Sequence, residues 1–231
     1  MSVLNGPFIA PLSGKAKSLV IFLHGYGANG TDLLSLGQEW ARYFPDTAFA
    51  APNAPDVCEA WASGYQWFSI RAAEITRALL DNKALLQKPT VSLNDYIDAQ
   101  LQHWGVEESQ LVVAGFSQGA MMAMYAMPRR KNPCAGVIAW SGMLLDAEGL
   151  KSPEIVKMPI LAIHGEEDQV VPPQSLEEVQ SGFEAAKFNV ETIMRPELGH
   201  GIDEFGLMRA VDFIKEGLDN KEKVKGKKTQ A

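Results

Sequence analysis

Histidine and cysteine are scarce in this chain, and long apolar runs are absent. Its 231 residues include two cysteines, Cys58 and Cys134, and four histidines. Two distant thiols supply neither a disulfide framework nor metal-ligand spacing, and two reduced thiols in a reducing cytosol is the reading that follows. No apolar stretch approaches the roughly 18–20 residues needed to cross a bilayer. The opening stretch from Met1 to Phe8 carries no basic segment followed by an apolar one, so no secretory leader is expected. Positive charge is also in deficit. The formal net charge of −7 argues against nucleic acid as a partner. What remains, with 46% hydrophobic and 21% charged residues, is a soluble, cytoplasmic globular protein with a substantial core.

Along the chain, apolar runs suited to strands alternate with longer amphipathic segments. Ser18–Leu23, Thr47–Ala51, Leu111–Ala114, Gly136–Trp140, Ile160–His164 and Val190–Met194 read as strands, and Val3 to Ala10 as a short edge strand. Helices are predicted from a cap at Thr31 or Asp32, over Arg71–Leu86, from Ser92 or Asn94 to Trp104, over Ser117–Met127, over Gln174–Ala186, and from Asp203 to about Leu218. Lys88-Pro89-Thr90 reads as a break. Pro52 to Ser69 has no period but gathers Trp61, Tyr65, Trp67 and Phe68. The alternation implies an α/β fold with a mostly parallel sheet covered by helices on both faces. No repeat or linker divides it, so residues 1–218 form one domain. Residues 219–231 hold five lysines and two acids, with no apolar face to bury, and read as a disordered tail. Such a tail has no hydrophobic anchor, so stable membrane insertion is not expected.

Chemistry concentrates at Gly115-Phe116-Ser117-Gln118-Gly119, a G-x-S-x-G turn with an apolar strand before it and an apolar helix after it. In a nucleophile elbow the glycines let the backbone fold back without collision. The serine sits strained at the helix N-terminus, where the dipole favours an alkoxide-like nucleophile. A serine so placed needs a base and an acid in the chain order Ser, Asp, His. Only His164 and His200 follow Ser117. His164 ends an apolar strand with no acid placed before it, whereas His200 lies in a Gly-His-Gly loop ahead of the last helix, so His200 is the candidate base. The loop after Ile163 offers Glu166, Glu167 and Asp168. Asp168 precedes Val-Val-Pro and is the chosen acid, with Asp203 better placed to cap the last helix. An ionised Asp168 would hold the His200 tautomer and stabilise the imidazolium. The backbone N–H of Gln118 and one from the loop after the first main strand, assigned to Leu23, are the oxyanion-hole candidates. His24 reads as a structural histidine that bonds backbone and holds that loop.

Phe-Leu-His-Gly-Tyr-Gly, Gly-Phe-Ser-Gln-Gly-Ala, His-Gly-Glu-Glu-Asp-Gln-Val-Val-Pro and Gly-His-Gly occur in this order. With them the chain resembles the phospholipase/carboxylesterase family, which includes bacterial carboxylesterases and acyl-protein thioesterases. The resemblance spans about Ser18 to Leu218 and implies an α/β-hydrolase fold without a large cap domain. It carries the nucleophile to Ser117, the acid to Asp168, the base to His200 and the oxyanion donors to Leu23 and Gln118. Two stretches depart from the family pattern. Ala28 stands where thioesterase members usually have Asp after H-G-L-G, with Tyr26 for the Leu. The family's S-W-F-D reads Gln66-Trp67-Phe68-Ser69.

The expectation is a serine carboxylesterase that needs no cofactor or metal and works through an acyl-enzyme on short- to medium-chain esters. The alternatives are a thioesterase or lysophospholipase for long acyl chains and, remotely, a binding protein on a hydrolase scaffold. Trp67, Phe68, Met143, Leu144 and Val171 lie on loops expected to converge above Ser117 as an acyl pocket. Ordinary core filling is the competing reading for all five. The partner is a small or lipid-like ester, and exposed apolar side chains near the site leave a homodimer open.

Overall fold

A computed structural model describes residues 4–70 and 83–228. Seven strands make one sheet: β1 (Phe8–Ile9), β2 (Ser18–Leu23), β3 (Thr47–Ala50), β6 (Leu111–Phe116), β7 (Gly136–Trp140), β8 (Ile160–Gly165) and β9 (Val190–Arg195). Their spatial order is β1-β3-β2-β6-β7-β8-β9. Only β1 runs antiparallel, against β3, and every other pairing is parallel. The helices are α1 (Gly30–Trp40), α2 (Lys83–Trp104), α3 (Gln118–Ala126), α4 (Ser175–Ala185) and α5 (Glu204–Lys228).

The unbroken apolar runs follow from this layering, because alternate strand residues point to opposite faces and both faces are covered. Leu19, Ile21 and Leu23 join one core with Leu93 and Ile97 of α2, Met122 of α3 and Phe183 of α4. Val20 and Phe22 join the other with Trp40 of α1 and Val211 and Ile214 of α5. Each fully buried side chain of this size contributes about 1.5–3 kcal/mol. The mostly parallel, two-faced sheet is therefore as the sequence implies.

Several boundaries differ. Asn29, not Thr31 or Asp32, caps α1: its side chain accepts from the Thr31 N–H at 2.8 Å, and Asp32 returns the bond to the Asn29 N–H at 2.8 Å. The break expected at Lys88-Pro89-Thr90 does not occur, and Pro89 lies inside α2. Proline there removes a helical hydrogen bond, and Thr90 Oγ1 beside it is buried with no hydrogen-bond partner among the described residues. Leu86, Leu93 and Ile97, buried on one face across the proline, keep the helix continuous. The helix expected over Arg71–Leu86 lies outside the described residues as far as residue 82. The last helix passes Leu218 and continues to Lys228. Lys and Glu, which make up most of the sequence from Asp219 to Lys228, are good helix formers. Residues 52–69, read as aperiodic, hold a short antiparallel hairpin of β4 (Asp56–Val57) and β5 (Tyr65–Gln66). No described helix is long and apolar enough to cross a membrane.

Candidate active site

The G-x-S-x-G turn joins β6 to α3 at the centre of the sheet. Ser117 takes φ 54° and ψ −118°, a conformation costing on the order of 1–3 kcal/mol for a non-glycine residue. Its N–H donates to the Trp140 carbonyl at 2.9 Å, and its carbonyl accepts from Met121 at 3.1 Å, so the strained residue is held from β7 and from the first turn of α3. The flanking glycines are required by space. A Cβ on Gly115 would lie 2.4 Å from the Gly119 carbonyl carbon, and one on Gly119 would lie 2.0 Å from the Leu23 oxygen. The second contact brings the end of β2 against the start of α3.

Asp168 and His200 meet. Asp168, in the loop after β8, is buried, and its Oδ2 accepts from His200 Nδ1 at 2.8 Å. Its Oδ1 accepts from the N–H groups of Val170 and Val171, both at 2.9 Å. Burial pushes the carboxyl up, but the His200 hydrogen bond and these two backbone donors outweigh it and hold Asp168 below the usual aspartate range. With Nδ1 donating to the carboxylate, Nε2 of His200 is left as the acceptor a general base requires. The His200 ring lies against Phe116, the residue before Ser117, with centroids 4.8 Å apart. No hydrogen bond between Ser117 Oγ and His200 occurs among the described residues. Such contacts commonly tighten only when substrate is bound.

The competing residues have other work. Asp203 pairs with Arg195 at 2.7 Å and caps α5 through the Gly206 N–H at 2.8 Å, while Glu166 and Glu167 are exposed. His24 is buried with both ring nitrogens on backbone, Nδ1 at 2.7 Å from the Gly25 oxygen and Nε2 at 3.0 Å from the Ala54 N–H. Burial lowers its pKa, against partial opposition from the Gly25 carbonyl and Asp32. His164 sits closer to the chemistry than its sequence position suggests. Its Nε2 lies 3.0 Å from the Val171 oxygen and 3.3 Å from Asp168 Oδ2, so the acid stands between two imidazoles.

Leu23 is the last residue of β2, paired with Gly115, with a fully buried side chain. The turn after it reaches Ser117: a Cβ on Gly25 would lie 3.4 Å from the Ser117 Cβ. Of the five acyl-pocket candidates, Trp67, Phe68, Leu144 and Val171 are buried, and Met143 is half-buried. Trp67 is fully enclosed, and its indole N–H donates to the His24 oxygen at 2.9 Å. The sequence reading did not single out the Phe116 ring beside the base or the side chain of Gln118. Their positions inside the elbow motif were the available signal. No cluster of potential metal ligands occurs among the described residues.

A family model described as phospholipase/carboxylesterase matches residues 4–218 of this chain. The chain belongs to the phospholipase/carboxylesterase family. Acyl-protein thioesterase 1 of Neurospora crassa is 29% identical over 226 residues, covering 92% of this chain and 91% of that protein. A probable carboxylesterase of Oryza sativa subsp. japonica is 28% identical, covering 91% of this chain and 81% of its own length. The crystal structure of esterase PE8 superposes with a TM-score of 0.86 at 37% identity, covering 93% of this chain and 99% of that one. This family member is thus a serine hydrolase of the α/β-hydrolase fold, of the carboxylesterase and acyl-protein thioesterase kind.

Proposed function

We propose that the protein hydrolyses short- to medium-chain carboxylic esters through an acyl-enzyme on Ser117. The observation that carries this reading is the 2.8 Å hydrogen bond from His200 Nδ1 to the buried Asp168, beside an elbow whose serine is held at positive φ. Ser117 attacks the ester carbonyl as His200 Nε2 takes its proton, and Asp168 balances the imidazolium. The same histidine protonates the departing alcohol, then activates water to release the acid. The N–H of Gln118, at the start of α3, and one from the segment Leu23–Tyr26 are the proposed oxyanion donors, and Gly25 of that segment packs against Ser117.

The acyl-length reading rests on the connection between β7 and β8. It contains a single 3-10 turn, Glu148–Lys151, and nothing large enough to serve as a lid. A long-chain thioesterase is the second reading, favoured by the names of relatives such as that of Neurospora crassa. Ser117→Ala should abolish turnover of a chromogenic short-chain ester, and near-full activity in that variant would sink the mechanism. A panel of esters and thioesters graded in acyl length separates the two readings. Turnover highest on long-chain thioesters would favour the second.

A further inference from the structure

The segment 56–70 is bound to both sides of the proposed oxyanion hole by polar contacts that the sequence reading did not foresee. The buried side-chain amide of Gln118 accepts from the Trp67 N–H at 2.8 Å and donates to the Phe68 carbonyl at 2.7 Å, as a neighbouring strand would. On the other side, the Trp67 indole holds the His24 carbonyl, Gly27 donates to the Tyr65 carbonyl at 2.9 Å, and Tyr65 donates to the Ala28 carbonyl at 2.8 Å. Gly64 packs so closely that a Cβ there would lie 2.0 Å from the Gly27 oxygen.

These bonds bear on catalysis because a peptide unit is planar, with its C=O and N–H pointing in opposite directions. Fixing a carbonyl therefore fixes the N–H of the same unit. The Trp67 indole fixes the unit between His24 and Gly25. His24 Nδ1 and the Ala28 N–H fix the unit between Gly25 and Tyr26 through the Gly25 oxygen. On the α3 side, the Gln118 amide ties the residue after the nucleophile to the same strap.

We propose that the segment 56–70 acts as a strap whose Trp67 indole, together with the side chain of Gln118, aligns the backbone donors of the oxyanion hole. Both are positioning residues, since neither side chain touches the reacting atoms. The proposal rests on the triad reading above. It also divides the strap: its inward groups hold the hole, Trp61 packs edge-on against Tyr26 with centroids 6.3 Å apart, and Val57 and Ile70 are exposed.

Gln118→Met keeps the length and bulk of the side chain and removes both hydrogen bonds. Trp67→Phe keeps an aromatic ring and removes the indole donor, which guards against one variant failing to fold. Active sites are counted with a fluorophosphonate, so that misfolded protein does not enter the rate, and thermal unfolding is followed in parallel. In each variant kcat per titrated site should fall about 10- to 100-fold with KM within about threefold. Affinity for a trifluoromethyl ketone, which forms a tetrahedral oxyanion on the serine, should weaken by the same factor as kcat/KM. A purely structural role would lower the melting temperature and the active fraction while leaving kcat per site intact. If Ser117→Ala is dead while both strap variants keep kcat per site within twofold, the strap is refuted and the triad stands. If Ser117→Ala remains active, both fall.

Discussion

Asp168→Asn is the sharpest single-atom perturbation of the proposed mechanism. Asparagine retains one oxygen, which still accepts from the Val170 and Val171 N–H groups that now bond Oδ1 at 2.9 Å. The amide nitrogen then replaces Oδ2 and presents N–H where His200 Nδ1 donates at 2.8 Å. Two donors cannot share that bond, so the imidazole moves its proton to Nε2 and ceases to be a base toward Ser117. The second loss is the charge. A carboxylate about 4 Å from an imidazolium contributes roughly 4 kcal/mol at an effective dielectric constant of 20, which corresponds to about three decades in rate. The tautomer adds to this, giving an expected fall in kcat of about 10³- to 10⁴-fold. The assay is turnover of a chromogenic short-chain ester per fluorophosphonate-titrated site, with circular dichroism to confirm the fold. A loss of less than tenfold would refute the role given to Asp168.

Other consequences follow from the geometry. Gly119→Ala places a Cβ 2.0 Å from the Leu23 oxygen, and an ångström-scale shift there should cost on the order of 10²-fold in kcat; a fully active variant would refute the close approach. His24, with a folded-state pKa below its ordinary 6.5, binds fewer protons folded than unfolded in the window just below that value. Its contribution is therefore intact above pH 6.5 and lost as pH falls through that window, by at most about 1.36 kcal/mol per pH unit. Denaturant unfolding between pH 8 and 5 should show that slope, and His24→Asn should flatten it; an unchanged slope would dismiss His24 as its source. Deleting residues 219–231, beyond Leu218, should leave kcat within about twofold, as measured on the same ester, because their sequence carries five lysines and no apolar face.

The sheet was legible in the sequence because strands buried on both faces leave continuous apolar runs, and Ser18–Leu23, Gly136–Trp140 and the strand at Ile160 stand out without help. Chain order led to Asp168 and His200 as the candidate acid and base, and the structure brings the two side chains within 2.8 Å of each other. What was not legible depends on contacts distant in sequence. Pro89 signals a break by local rules, and only the shared burial of Leu86, Leu93 and Ile97 keeps α2 continuous. The hairpin at Asp56–Val57 and Tyr65–Gln66 is too short to show a period of two, and the bonds of Trp67 just after it run to residues 43 and 51 positions away along the chain. Trp67 was assigned to an acyl pocket because its loop was expected to converge above Ser117, and its burial and indole hydrogen bond lend more support to the competing reading of core filling.

The histidines near the site show how one residue type is divided among tasks by its hydrogen bonds. His24 commits both nitrogens to backbone and resists protonation, which suits a group bracing a turn. His164 turns Nε2 toward the Val171 carbonyl and the rear of the acid, where it supports the loop carrying Asp168. His200 hydrogen-bonds a carboxylate through Nδ1 while its side chain stays 18% exposed, with no hydrogen bond to Nε2 among the described residues. A base must be oriented at one end and open at the other. That asymmetry, more than proximity to Asp168, which His164 shares, is the structural ground for assigning the proton transfer to His200.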